Sequence, residues 1–153
     1  MQTTRILFSA FVATSAMTLF SYLISETKNK NFREPEVLGQ LINRLPIVVS
    51  KESAQISGWG IHYAIGFFFV ALYSELWERT KVKPSLTSGT LLGAGSGVIG
   101  VIGWKLMFEG HPNSPAKNLK SFFGHLLLAH VVFGVFGAIS YKLTYRHKIL
   151  GLK

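Results

Sequence analysis

The chain has 153 residues, of which 48% are apolar and only 15% are charged, whereas soluble domains carry about 25% charged residues. Sixteen Lys and Arg against seven acids give a net charge of +9. Such a balance suggests a nucleic-acid partner, but the low charged fraction and twelve Phe argue against one. The lack of Cys excludes disulfides, Cys-ligated zinc and thiol catalysis.

Four apolar stretches predict membrane spans. A helix needs about 20 largely apolar residues to cross the hydrocarbon core, and residues 6–24, 58–77, 86–108 and 121–141 meet this requirement without a central charge. A soluble helical bundle would need polar faces, which the last three stretches lack. The sequence therefore predicts one all-α, polytopic membrane domain over residues 1–153, a bundle of four transmembrane helices with the lipid bilayer as its surroundings.

The first stretch has a cleavable signal peptide as its alternative interpretation. Its 19 apolar residues exceed the usual signal core of about 7–15, and no small-residue cleavage site follows. An uncleaved span is therefore favoured.

The loop after the first span contains an amphipathic segment over about residues 35–45. Pro35 suits the first turn of a helix, and Pro46 ends the pattern. The apolar residues between them fall on one stripe: Val37, Leu38, Leu41, Ile42 and Leu45. We expect a helix on the outer membrane surface, and a loop folded over the bundle mouth is a compatible alternative.

The basic residues indicate an orientation. Four spans put both termini on one side, and the predicted cytoplasmic set is dense beside the span ends: Arg5, Arg79, Lys81, Lys83, Lys142, Arg146, Lys148 and Lys153. The opposite side carries seven basic residues, including Lys117, over longer loops. Density beside the spans favours cytoplasmic termini, and we predict a multi-pass protein of the bacterial inner (plasma) membrane.

Glycines predict the helix-packing faces. Gly89, Gly93 and Gly97 form two successive G-x-x-x-G steps in the third span, which allow close backbone approach. We expect this span to be the central, most crowded helix. The remaining predicted packing glycines are Gly58, Gly66, Gly100 and Gly134.

Three intramembrane histidines are the candidate site residues. His62 shares a face with Gly58 and Gly66, and His130 precedes Gly134 by one turn. His125 lies about 140° around the helix from His130, so both cannot aim at one small centre. Glu109 and His111 fall in the outer loop above them, and Glu109 is the carboxylate expected near the histidines. The pattern allows a hydrogen-bonded cluster, axial ligands for haem b, a metal site, or quinone, lipid or proton handling.

The hydroxyl residues of the first span are best explained as backbone-bonded or small packing residues. They are Ser9, Thr14, Ser15, Thr18 and Ser21.

Two segments carry a resemblance. Residues 58–66 read Gly-Trp-Gly-Ile-His-Tyr-Ala-Ile-Gly, and Pro112-Asn113-Ser114-Pro115 precedes a His-Val-Val-Phe-Gly segment at residues 130–134. The chain resembles a family of small bacterial inner-membrane proteins with four predicted spans and no assigned activity. The resemblance implies location and topology and favours His62 and His130 over His125.

Two functions remain open at this point. The leading hypothesis is a non-catalytic accessory or structural component, in which His62 and His130 form a polar cluster between spans two, three and four. The alternative is a ligand-binding membrane protein that uses these histidines. An enzyme acting on lipid or isoprenoid substrates ranks lowest, because no motif for such chemistry is present. The glycine faces would also suit a homo-oligomer or contacts with the subunits of a membrane complex.

Overall fold

The fold is a bundle of four long helices with a short fifth helix folded onto it. The computed structural model describes residues 2–115 and 118–149, with side chains to Thr144; Lys117 and Lys153, and the side chains of Arg146 and Lys148, lie outside that description. The helices are α1 (Gln2–Lys28), α2 (Glu34–Asn43), α3 (Lys51–Arg79), α4 (Leu86–Gly110) and α5 (Leu119–Ile149). Four of them are long and apolar enough to span a membrane, namely α1, α3, α4 and most of α5. The predicted all-α multi-pass fold is thus confirmed.

Serine side chains set the beginnings of α3 and α4. Ser50 Oγ accepts a hydrogen bond from the Ser53 amide at 3.1 Å, so α3 begins well before the predicted apolar span. Ser85 and Ser88 cap each other reciprocally at the start of α4. These caps satisfy backbone amides that a helix leaves unpaired at its first turn.

Helix α2 packs against α3. Val37, Leu38 and Leu41 are buried. The helices cross at two glycines, since a Cβ on Gly58 would lie 2.5 Å from the Gly39 amide nitrogen. The first three residues of the predicted apolar stripe are thus covered by protein, whereas Leu45 lies beyond the end of α2 and is exposed. We call this end of the bundle the α2 end.

Helices α4 and α5 meet along a seam of glycines. A Cβ on Gly134 would lie 2.1 Å from the Gly89 carbonyl oxygen, and a Cβ on Gly93 would lie 2.4 Å from the His130 carbonyl oxygen. The two backbones are therefore in direct contact, which lets dispersion forces act over a long strip of atoms. We call this contact the glycine seam.

The expectation that the third span is the central helix is wrong. Only 28% of the most apolar window of α4 is buried inside the bundle, against 50% for α5. The glycines of α4 serve a single neighbour, α5, and its other faces carry exposed Leu91, Val98 and Ile102. Helix α5 is the central one, because it is the most deeply buried of the four spanning helices and packs extensively against both α4 and α1.

Candidate ligand-binding site between α3 and α4

A cavity of about 190 Å³ lies in the half of the bundle nearest the α2 end. All five helices contribute to its wall, which is mainly apolar. A buried apolar cavity of about 150 Å³ is already large enough to take up benzene. The volume therefore suits a small head group or ring and not a whole lipid.

The mouth of the cavity lies between α3 and α4. Among its lining residues, the large exposed side chains are Ile65 on α3 and Ile99 and Met107 on α4. Nearer the opposite end, Tyr73 joins these two helices: its hydroxyl lies 2.6 Å from Ser96 Oγ. All three rim residues lie within spanning helices, so the cavity opens sideways toward the membrane interior.

His62 is held in the wall by α1. The hydroxyl of Thr18 donates to the Thr14 carbonyl oxygen at 2.7 Å, so it accepts from His62 Nε2 at 2.9 Å. This bond orients the ring and places its proton on Nε2, which leaves a lone pair on Nδ1. His62 therefore bonds to α1 and not to His130.

His130 occupies the α4–α5 side of the wall. Its Nδ1 donates to the Leu126 carbonyl oxygen at 2.9 Å, so Nε2 carries the lone pair. The ring lies against Gly100, where an added Cβ would be 3.0 Å from Nε2. The edge-to-face contact with Phe69, 6.1 Å between ring centres, completes the packing.

Glu34 is the third ionisable group in the wall and is only 1% exposed. Ser21 donates to Oε1 at 2.9 Å, and Oε2 is buried with no hydrogen-bond partner among the described residues. Burial raises the pKa of Glu34 from its ordinary 4.5 to about 8, because an apolar site disfavours the charged form. At pH 7 the carboxyl group is neutral, and because Oε1 accepts from Ser21 its proton resides on Oε2.

His125 supports Glu34 from outside the cavity. Its Nε2 lies 2.9 Å from Ser21 Oγ, which accepts from His125 while donating to Glu34. The ring is stacked between Phe20 and Phe32, at 5.4 and 4.6 Å between centres. His125 and His130 thus face different surroundings, as their separation around α5 requires.

The two loop candidates lie apart from the cavity. Glu109 pairs with Lys105 at 3.8 Å on an exposed surface, so Glu34 replaces it as the carboxyl group nearest the histidines. His111 donates from Nε2 to the Leu41 carbonyl oxygen at 2.9 Å and accepts from the Asn113 amide at 3.1 Å. It fastens the α4–α5 loop to the end of α2.

Helix α1 and Glu34 contribute groups that the sequence interpretation missed. Thr14, Thr18 and Ser21 are buried, and their spacing of four and three residues places them on one helix face. Glu34 precedes Leu38 and Leu41 on the apolar stripe of α2, a position that favours burial. Both patterns are visible in the sequence.

All seven predicted packing glycines lie against another helix. Besides the glycine seam and Gly58, Gly66 faces Thr14, Gly97 faces Leu127, and Gly100 faces the His130 ring. Gly60, Gly95 and Gly103 would meet no atom within 4 Å of an added Cβ. Of these, Gly95 lies outside the cavity lining and can serve as a control position, whereas Gly103 lines the cavity.

No group of three or more His or Glu side chains within residues 2–115 and 118–149 is placed to hold a metal ion. No family model, curated protein or solved structure matches the chain. The resemblance to a four-span family therefore stays a prediction.

Proposed function

We propose that the protein binds a lipid-soluble small molecule, with the ligand's polar head in the cavity and its chain in the mouth between α3 and α4. The observation that carries this proposal is an apolar cavity open to the membrane, whose lining residues Glu34 and Thr14 each hold a buried oxygen with no hydrogen-bond partner among the described residues. Cavities of this kind, mainly apolar with a few convergent polar groups, are typical of ligand sites.

The unpaired atoms favour ligand binding over a purely structural cluster. Glu34 Oε2 and Thr14 Oγ1 are buried without a partner among the described residues, and each such group costs about 1–3 kcal/mol. A structural cluster would pair these atoms with one another. A ligand that bonds to them recovers part of that cost on binding.

Two glycine variants of α4 test the proposal. Gly103 lines the cavity and Gly95 is exposed, and neither would place an added Cβ within 4 Å of another atom. Gly103→Phe should therefore fill the cavity or its mouth, whereas Gly95→Phe adds the same ring elsewhere on the same helix. The measurement is mass spectrometry of organic extracts from the purified proteins.

We expect near-equimolar amounts of one lipid-soluble compound with the unmodified protein and with Gly95→Phe. Gly103→Phe should retain about tenfold less, a loss equivalent to about 1.4 kcal/mol. Equal amounts in all three proteins, or no enriched compound in any of them, would refute ligand binding in this cavity.

An absorption spectrum and metal analysis of the same samples separate the cofactor hypotheses. Two histidines with one lone-pair nitrogen each, His62 and His130, line the cavity. A haem band or stoichiometric metal that disappears in Gly103→Phe would favour haem b or a metal over a lipid-soluble organic ligand. We expect neither.

We also propose that the membrane is the bacterial inner membrane, with both termini in the cytoplasm. The density of basic residues at the end opposite α2 supports this orientation. The native chain has no Cys, so single variants Val48→Cys and Lys81→Cys report on the two ends. An impermeant thiol reagent should label Val48→Cys in intact cells and label Lys81→Cys only after lysis.

A further inference from the structure

We infer that the ligand of this cavity is an uncharged lipid alcohol, whose hydroxyl head bonds to Glu34 or Thr14 as an acceptor and to His62 or His130 as a donor. This inference rests on the proposed function and adds the chemical class of the ligand. It follows from the charges, the hydrogen-bonding atoms and the volume of the cavity.

The cavity wall carries no group that would neutralise a charged head. No Lys or Arg is among its lining residues in the described part of the chain. The basic residue next to Glu34 is Arg33, which pairs with Glu26 and Glu36. A phosphate or carboxylate would enter without a counter-ion, and burying an unpaired charge is far more costly than burying a hydroxyl.

The wall offers both donors and acceptors. With its proton on Oε2, Glu34 can donate, as can the Thr14 hydroxyl, which has no hydrogen-bond partner among the described residues. His62 Nδ1 and His130 Nε2 can accept, because the other nitrogen of each ring holds the proton. A ketone, ester or ether oxygen only accepts and would leave both imidazoles unpaired. A hydroxyl accepts and donates, so it can serve both kinds of group.

The volume and the mouth agree with a small head on a single chain. About 190 Å³ accommodates a hydroxyl and its adjoining carbons. The rest of the chain can then lie between the exposed side chains of Ile65 and Ile99, in contact with lipid tails.

We expect alcohol binding to weaken above pH 8. Ionised Glu34 would lose its donor and bring an uncompensated charge into the cavity. The titratable and charged groups of the elements around it are few: His125 through Ser21, His62 and His130 across the cavity, and Arg33 with Glu36 beside it. Helix α4 contributes no titratable side chain to the cavity wall among the described residues.

Trp104 provides a local reporter, because it lines the cavity. Trp59 and Trp77 can be changed to Phe; the buried Trp77 Nε1 has no partner among the described residues, so no bond is removed. The probes share one brominated alkyl chain and differ only in the head: hydroxyl, carboxylate or trimethylammonium. Bromine quenches indole fluorescence on contact.

We expect saturable quenching of Trp104 by the alcohol, with an affinity at least about tenfold higher than for either charged probe. Stronger binding of the carboxylate or ammonium probe would overturn the head-group inference and leave the proposed function intact. The lack of saturable quenching by all three probes would overturn both.

Variants of Glu34 test whether its carboxyl group is responsible for alcohol binding and for the decline in binding above pH 8. Glu34→Leu should weaken alcohol binding about tenfold, the loss expected of one buried hydrogen bond. Glu34→Gln should weaken it less, since the amide still donates, and should remove the decline above pH 8. An unchanged decline in Glu34→Gln, or equal affinities for all three proteins, would contradict the role of Glu34. Size-exclusion profiles establish that each variant is folded.

Discussion

Helix α4 presents different surfaces to α5 and to α3. Toward α5 it forms the glycine seam, where backbone atoms touch and no space remains. Toward α3, nearer the α2 end, it leaves a cavity of about 190 Å³ that opens to the membrane. Gly100 and Gly103 lie within one turn of each other, yet Gly100 contacts the His130 ring while Gly103 faces open space.

This comparison shows that a glycine permits close approach but does not cause it. The seam forms because Gly134 on α5 presents its own backbone to Gly89 and Gly93. Nothing equivalent on α3 faces Gly103, so the same residue type produces a void. The glycine pattern of one helix therefore predicts a packing face only together with that of its partner.

The largest effect should come from adding a small side chain inside the glycine seam. Gly134→Val would place a Cβ 2.1 Å from the Gly89 carbonyl oxygen, and backbone atoms can move away only by separating the helices. We expect destabilisation at or above the upper end of the ~1–3 kcal/mol range for overpacking, measured by thermal denaturation in detergent.

The matched control for this prediction is Gly124→Val on the same helix. A Cβ at Gly124 would meet no atom of the described residues within 4 Å, so only the difference in helix propensity between Gly and Val applies, a few tenths of a kcal/mol in favour of Val. If both variants melt at the same temperature, the seam does not hold α4 and α5 together.

A second effect concerns the cavity side and depends on pH. The folded state keeps a proton on Glu34 up to pH about 8, whereas an exposed Glu releases it near 4.5. Stability should therefore fall as pH rises from about 5 to 8, at most about 1.4 kcal/mol per pH unit, and level off above that.

The comparison with Glu34→Gln isolates this effect from the other titrating groups. The stability difference between the two proteins should grow steadily in favour of Glu34→Gln between pH 5 and pH 8, as followed by thermal denaturation. A difference that is constant across that interval would show that Glu34 is ionised in the folded protein.

The smallest predicted effect comes from the bond that orients His62. Thr18→Val keeps the side-chain shape but removes the acceptor for His62 Nε2. Hydrogen bonds between membrane helices contribute about 0.6 kcal/mol on average and at most about 1.7, so the loss of stability should lie in that range. Thr27→Val, which removes an exposed hydroxyl from the same helix, should have no measurable effect. Equal losses would argue against the bond.

Much of the fold could be predicted from the sequence, because its determinants are local. The four apolar stretches are long enough to identify the spanning helices, and the stripe ended by Pro46 predicts α2. The central position of α5 could not be predicted in this way. It depends on which helices pack together, and α4 carries more glycines than α5 although it has only one close neighbour.

The candidate site was predictable only in part. His62 and His130 follow from their small-residue faces, and both line the cavity. Glu34 lies in the first turn of α2, where an acid stabilises the helix dipole whether or not it is buried. Only the fold of α2 onto α3 shows that the carboxyl group is buried beside the histidines. The cavity between α3 and α4 corresponds to no pattern in the sequence from which it could be predicted.

The most direct test of the account is a crystal structure of the protein with the brominated long-chain alcohol, in which anomalous scattering locates the bromine. We predict a bromine peak in the mouth between Ile65 and Ile99, with the hydroxyl within hydrogen-bonding distance of Glu34 or Thr14. If a crystal grown at a saturating concentration of the alcohol shows bromine only on another face of the bundle and an empty cavity, alcohol binding in this cavity is contradicted.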